Sequence, residues 1–198
     1  VSYRTSQTAN NGAGSTSLTI NVPAGVAAND LLVAHLAVRG NGAITAPGGW
    51  TPLVDTTNGN FIRQTTYYRI AGGSEPTSYQ WTFASTPAAG GMSAFYGVKS
   101  TSPVDVTGTT QTANSTTATA PSVTTAANDA LVLAFFAVRT SSAFDQAGGM
   151  NELYESSASG GVAAATDSMT QATAGPTGAK TSGVTSARVL VSDRPAVY

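Results

Sequence analysis

The chain has 198 residues, a net charge of −1, only 10% charged residues and no cysteine. Its nine cationic residues are scattered, which leaves no electrostatic footprint for nucleic acid and no polybasic membrane patch. Without cysteine there are no disulfides, no thiolate chemistry and no Cys-ligated zinc, and no apolar run reaches the roughly 20 residues of a membrane helix.

The N-terminal segment from Val1 to Gly14 is polar, with a turn at Asn11-Gly12. Val1-Ser2-Tyr3-Arg4-Thr5 lacks the charged-then-apolar pattern of a signal segment. Val1 is read as the second residue of a chain that lost its initiator Met, a removed signal peptide being the alternative. Ser15 to Val22 alternates, with Leu18, Ile20 and Val22 on one face, as a half-buried strand does. Pro23-Ala24-Gly25 stops it. Leu31 to Arg39 then forms a continuous apolar run rich in Leu and Val, read as a strand buried on most of both faces. Asn58-Gly59 is a two-residue hairpin signal between strand-like Trp50–Thr56 and Phe61–Ala71. Tyr79 to Phe83 and Met92 to Val98 add two more strands.

Thr101 to Thr125 is a biased Thr/Ser/Ala/Val/Asn segment, read as short polar strands because Thr and Val favour extended backbone, a flexible linker being the alternative. Ala130 to Arg139 is a second long apolar strand. Leu153 to Val191 is small-residue strand and loop, and Ala187-Arg188-Val189-Leu190-Val191 closes the sheet. No stretch has sustained helical periodicity with caps.

The two apolar strands follow near-identical turns, Ala27-Ala28-Asn29-Asp30 and Ala126-Ala127-Asn128-Asp129. Ser15-Thr16 and Ser115-Thr116, Gly48-Gly49-Trp50 and Gly148-Gly149-Met150, Leu53 and Leu153, and Pro76-Thr77 and Pro176-Thr177 all share an offset of 100. One residue of slippage is placed between Asp30/Asp129 and the following strand. This pattern implies an internal duplication, with pseudo-repeats 15–98 and 115–191. Two architectures fit: two small sandwiches, or halves interleaved into one double-sheet jelly roll. The second is preferred, because a half of about 100 residues has a marginal core alone. The half after Phe144 is also poor in aromatics and would draw on the first half's Trp and Tyr. The expected fold is therefore all-β, a two-sheet antiparallel, jelly-roll-like sandwich forming one domain over residues 1–198.

His35 is the only histidine, and the offset pairs it with Phe135, which makes it a packing residue rather than a general base. The ten carboxylates form no HExxH and no DxDxDG pattern. Asp30 and Asp129 are placed to hydrogen-bond their own turns, with a calcium corner as the alternative. Glu152 and Glu155, the close acidic pair, are expected to face solvent. There is no GxSxG elbow, no P-loop and no dinucleotide fingerprint. No catalytic residue, metal ligand or cofactor is expected. Trp50, Tyr67, Tyr68 and Trp81 are the candidate ligand-binding residues. Exposed in a row they would stack sugars, with Asn60, Arg63 or Gln64 beside them; buried they are core anchors. Tyr67 and Tyr68 must point to opposite faces of one strand.

The order of Pro-Ala-Gly (Pro23 to Gly25), Asn-Asp-Leu-Leu-Val (Asn29 to Val33), Pro-Gly-Gly-Trp-Thr (Pro47 to Thr51), Tyr-Tyr-Arg-Ile-Ala (Tyr67 to Ala71) and Ala-Phe-Tyr-Gly-Val (Ala94 to Val98), followed by a second Asn-Asp strand and Gly-Gly-Met, resembles β-sandwich modules of tailed-phage virion proteins and bacterial surface proteins. That pattern often places an aromatic near its last strand, where this chain has Ser192-Asp193-Arg194. The resemblance implies a non-enzymatic virion structural protein, a capsid decoration or a fibre- or tail-associated component on the virion surface. Its partners would be capsid or tail proteins or copies of itself, with no nucleic acid and no membrane. The alternative is a carbohydrate-binding or adhesin module of a bacterial surface or secreted protein, with a host-surface glycan as partner. A hydrolase reading would need His35 or paired carboxylates in a cleft.

Overall fold

The structure, a computed structural model, describes residues 1–193 and 195–197; Arg194 of the C-terminal stretch lies outside them. The first half comprises β1 (Ser2–Asn10), β2 (Ser15–Asn21), β3 (Leu31–Arg39), β4 (Ile44–Thr45), β5 (Thr51–Asn58), β6 (Ile62–Ile70), β7 (Ser78–Thr86) and β8 (Ala88–Tyr96). The second comprises β9 (Val104–Val106), β10 (Gln111–Ala120), β11 (Thr124–Thr125), β12 (Ala130–Val138), β13 (Asn151–Ala158), β14 (Val162–Gln171), β15 (Gly175–Pro176), β16 (Lys180–Asp193) and β17 (Ala196–Val197). The fold is all-β and antiparallel, as expected. The sequence pattern missed β1 and the two-residue strands β4 and β17; β1 is polar and mostly exposed, and its pairing with β8 holds it in place.

Five strands form one sheet in the order β1-β8-β3-β6-β5, and β2-β7-β4 form a smaller one over it. In the second half β10-β16-β12-β14-β13 form the main sheet, joined beside β12 by β17 and β9, while β11 pairs with β15. Among the described residues, no sheet mixes strands of the two halves, so they do not interleave as a jelly roll would require. They stack. The even-numbered side chains of β3 (Leu32, Ala34, Leu36, Val38) pack on Leu18, Ile20, Tyr79, Trp81 and Phe83 of the small sheet. The odd-numbered ones face the second half, where Leu31 and Val33 join Leu131, Leu133, Phe135 and Val197, and Ala37 joins Ala137 and Ala164. β12 is buried along its whole length, which explains the absence of any polar alternation in its sequence. The second half also has its own inner core of Phe136, Val138, Phe144, Met150, Val184 and small residues. It does not borrow Trp50 or Trp81; alanines let its layers approach closely enough to bury Phe136 and Phe144 against each other, ring centroids 6.2 Å apart.

The strand registers repeat. Leu31 pairs with Ile70, and Leu131 with Thr170; Thr51 pairs with Tyr68, and Asn151 with Ser168. Even the bulge recurs, between Pro52 and Val54 and between Glu152 and Tyr154. Each of these partners is shifted by 100. The left-handed turn residue before each central strand is Asn29 (φ 70°) and Asp129 (φ 54°). These two are also 100 apart. The halves differ where Pro87, which cannot donate to a ladder, separates β7 from β8. The second half runs on through β16, whose ladder with β10 skips from Arg188 to Gly183 opposite Ser115 and Thr117.

Candidate functional site

The four aromatic candidates do not form a platform. Trp81 is fully buried, and Trp50 and Tyr67 nearly so. Trp50 packs edge-on against Trp81 and Tyr79, each at 5.2 Å between centroids, and Tyr67 lies 6.2 Å from Trp81. Arg69 caps this cluster, 5.0 Å from the Tyr79 ring, and is held by Glu75 at 3.1 Å. Tyr68 does point to the opposite face from Tyr67, but that face is covered by the second half, where Tyr68 is half-buried against the Leu31–Leu131 cluster. With β6 sandwiched on both sides, alternation exposes neither tyrosine. Of their expected polar neighbours, Gln64 is buried, Arg63 is engaged by Asp55, and Asn60 is exposed.

His35 is fully buried at the centre of the seam between the halves. Its Nδ1 lies 3.2 Å from Thr166 Oγ1, and its ring lies 5.1 Å from that of Phe135. Burial pushes its pKa down to about 3, with Gln64 pulling weakly the other way. The imidazole is therefore neutral and sealed from any substrate. Around it the seam is unusually polar: Gln64, Thr66, Ser93 and Thr166 are all buried. Gly90 and Gly91 of β8 make the close approach feasible. A Cβ on Gly90 would meet the His35 carbonyl at 2.2 Å, and one on Gly91 the Tyr154 ring at 2.5 Å.

The carboxylates serve turns and loops. Asp30 accepts from Ala27 N at 2.9 Å and pairs with Arg4 at 2.7 Å, so its place in the turn is as expected. Glu152 is exposed on the outer strand β13, but Glu155 is half-buried and accepts from Phe144 N. Sequence reasoning missed Asp167, a buried acid in a run of small residues. It accepts from Ala147 N at 2.6 Å and so fixes the loop before β13. Burial raises its pKa to about 6, with the charges of Glu152 and Glu155 adding to the effect. Among the described residues, no group of three His, Asp or Glu is arranged to hold a metal ion.

What the structure does bring together is a pair of arginines. β3 ends in Val38-Arg39 and Arg139 directly follows Val138 at the end of β12, and both side chains reach the same mouth between the halves. An open groove of about 410 Å³ there is lined by Arg39, Arg139, Asn60, Phe61, Ser85 and Thr86, among others. A second hollow of about 400 Å³ lies between the two arginines, Thr140 and Gly161. Arg39 Nη1 donates to Gly160 O at 2.8 Å, and the Arg139 guanidinium lies 5.3 Å from the centre of the Phe61 ring. The signal in the sequence was the shared Ala-Val-Arg ending of the two apolar runs.

No family model, curated protein or solved structure matches this chain.

Proposed function

We propose that the chain is a non-enzymatic structural protein of a virion surface, built from a duplicated sandwich unit and working through protein–protein contacts as a capsid decoration or a fibre- or tail-associated component. The observation that carries this reading is the sheet edge made by β1 and the end of β8, where Arg4 meets Tyr96 on one face and Tyr3 stands over Phe95 on the other. Tyr3 and Tyr96 are two of the few exposed large apolar side chains among the described residues, at 40% and 45%. Arg4 lies 4.8 Å over the Tyr96 ring, so Tyr and Arg, the residue types that dominate interface hot spots, are clustered at a sheet edge. The seam between the halves supports a rigid body that presents this edge without rearrangement, and a standard interface of roughly 1,200–2,000 Å² would bury it. The test is electron cryo-microscopy of particles isolated from the producing cells. Copies of the chain at regular spacing, with Arg4 and Tyr96 beneath a contact, are the expected result. A chain found only free and monomeric contradicts the reading.

A second reading, a carbohydrate-binding module of a surface or secreted protein, has no support from the buried aromatics. It draws on the groove beside Arg39 and Arg139.

A further inference from the structure

Two arginines at equivalent ends of the central strands meet at one groove, and neither forms an ion pair among the described residues. The other arginines whose side chains the structure describes are neutralised: Arg4 by Asp30, Arg63 by Asp55 and Arg69 by Glu75. No acidic side chain lines the groove among the described residues. Two uncompensated guanidiniums facing one hollow repel each other, and an anion between them removes that repulsion. Both are already oriented, Arg39 by the Gly160 carbonyl and Arg139 by its stacking on Phe61. Arg139 Nε is moreover buried without a hydrogen-bond partner. Pre-orientation lowers the entropy lost on binding, and the guanidinium fork matches an oxyanion with two parallel hydrogen bonds.

The rest of the lining narrows the ligand class. Phe61 is 49% exposed, an apolar ring open to solvent directly beside the charges. Asn60, Ser85 and Thr86 surround it with amide and hydroxyl groups. A bare phosphate would use the arginines and leave this wall idle. A sugar carrying a carboxylate would use all of it: carboxylate on Arg39 and Arg139, the C–H face of the ring on Phe61, and hydroxyls on the polar rim. We infer that this groove is a binding site for an acidic saccharide, with Arg39 and Arg139 as the carboxylate clamp and Phe61 as the stacking face.

The inference rests on the sugar-binding reading and is independent of the Arg4–Tyr96 edge. The test titrates the full chain by calorimetry with a tetra-uronate, a neutral tetraglucoside and inorganic phosphate. Saturable tetra-uronate binding is expected, weakened about tenfold or more by Arg39→Gln or Arg139→Gln and also by Phe61→Ala, with the neutral sugar and phosphate binding far more weakly. Arg39 is exposed, so its variant keeps the test intact if the Arg139 variant fails to fold, and thermal melting reports which has occurred. Phosphate binding as tightly as the uronate, with no effect of Phe61→Ala, overturns the saccharide assignment. Uronate binding that survives the double arginine substitution overturns the site and leaves sugar binding standing. No saturable binding of any of the three overturns both.

Discussion

His35 makes the contact between the halves sensitive to acid, and the size of the effect follows from its burial. The folded protein holds it neutral down to a pKa of about 3, against the ordinary value of 6.5. Below pH 6.5 the unfolded chain takes up a proton that the folded chain refuses. Stability contributed by the neutral imidazole is thus complete above pH 6.5 and is lost as pH falls toward 3. From pH 7.5 to 4.5 the loss spans about two pH units at about 1.4 kcal/mol each, roughly 3 kcal/mol. That is a large part of the 5–15 kcal/mol typical of a folded domain. His35→Leu removes the titration while keeping an apolar side chain against Phe135. Urea unfolding of both proteins at the two pH values measures the difference. Other acids titrate in the same window, but they are common to both chains and cancel in the comparison. The wild type should lose roughly 2–3 kcal/mol more than the variant. Parallel losses would refute the claim that His35 is buried and uncharged in the seam.

Gly91→Ala drives a methyl group into the Tyr154 ring and the Gln7 carbonyl, at 2.5 and 2.8 Å, and should cost about 1–3 kcal/mol in urea unfolding without abolishing the fold. Trp81→Ala empties the centre of the first-half core and should cost about 3–5 kcal/mol, read as a fall in the denaturant midpoint. Asp167 titrates in the opposite sense to His35. Its raised pKa of about 6 means that its contribution is present at low pH and lost as pH rises through 6, so Asp167→Asn should flatten that fall in thermal melts taken from pH 4.5 to 7.5.

The central strands and the Asn58-Gly59 hairpin were legible because each is a local pattern: an apolar run after a turn, and a two-residue loop. The strand from Ser2 to Asn10 was not, because its partner β8 and not its own side chains makes it extended. The fate of Trp50 and Trp81 turned on which sheet covers which face, and alternation alone does not say that. Tyr68 shows the same limit, since opposition to Tyr67 was correct but exposure depended on the second half. Each half of the sequence carries one of the two arginines at the end of its apolar run, yet their meeting at one mouth depends on how two separate sheets stack. Asp167 carried no signal, because a single Asp among alanines and threonines reads as surface until packing buries it.

The central claim is that two half-chains, each with its own inner core, are locked into one body by a shared seam. Both tryptophans lie in the first half, so their fluorescence reports that half alone, while far-UV circular dichroism reports the strands of both. Urea unfolding followed by the two signals on one sample should give a single transition with the same midpoint and slope. Two separated transitions, with the fluorescence change complete while much of the strand signal persists or the reverse, would contradict it.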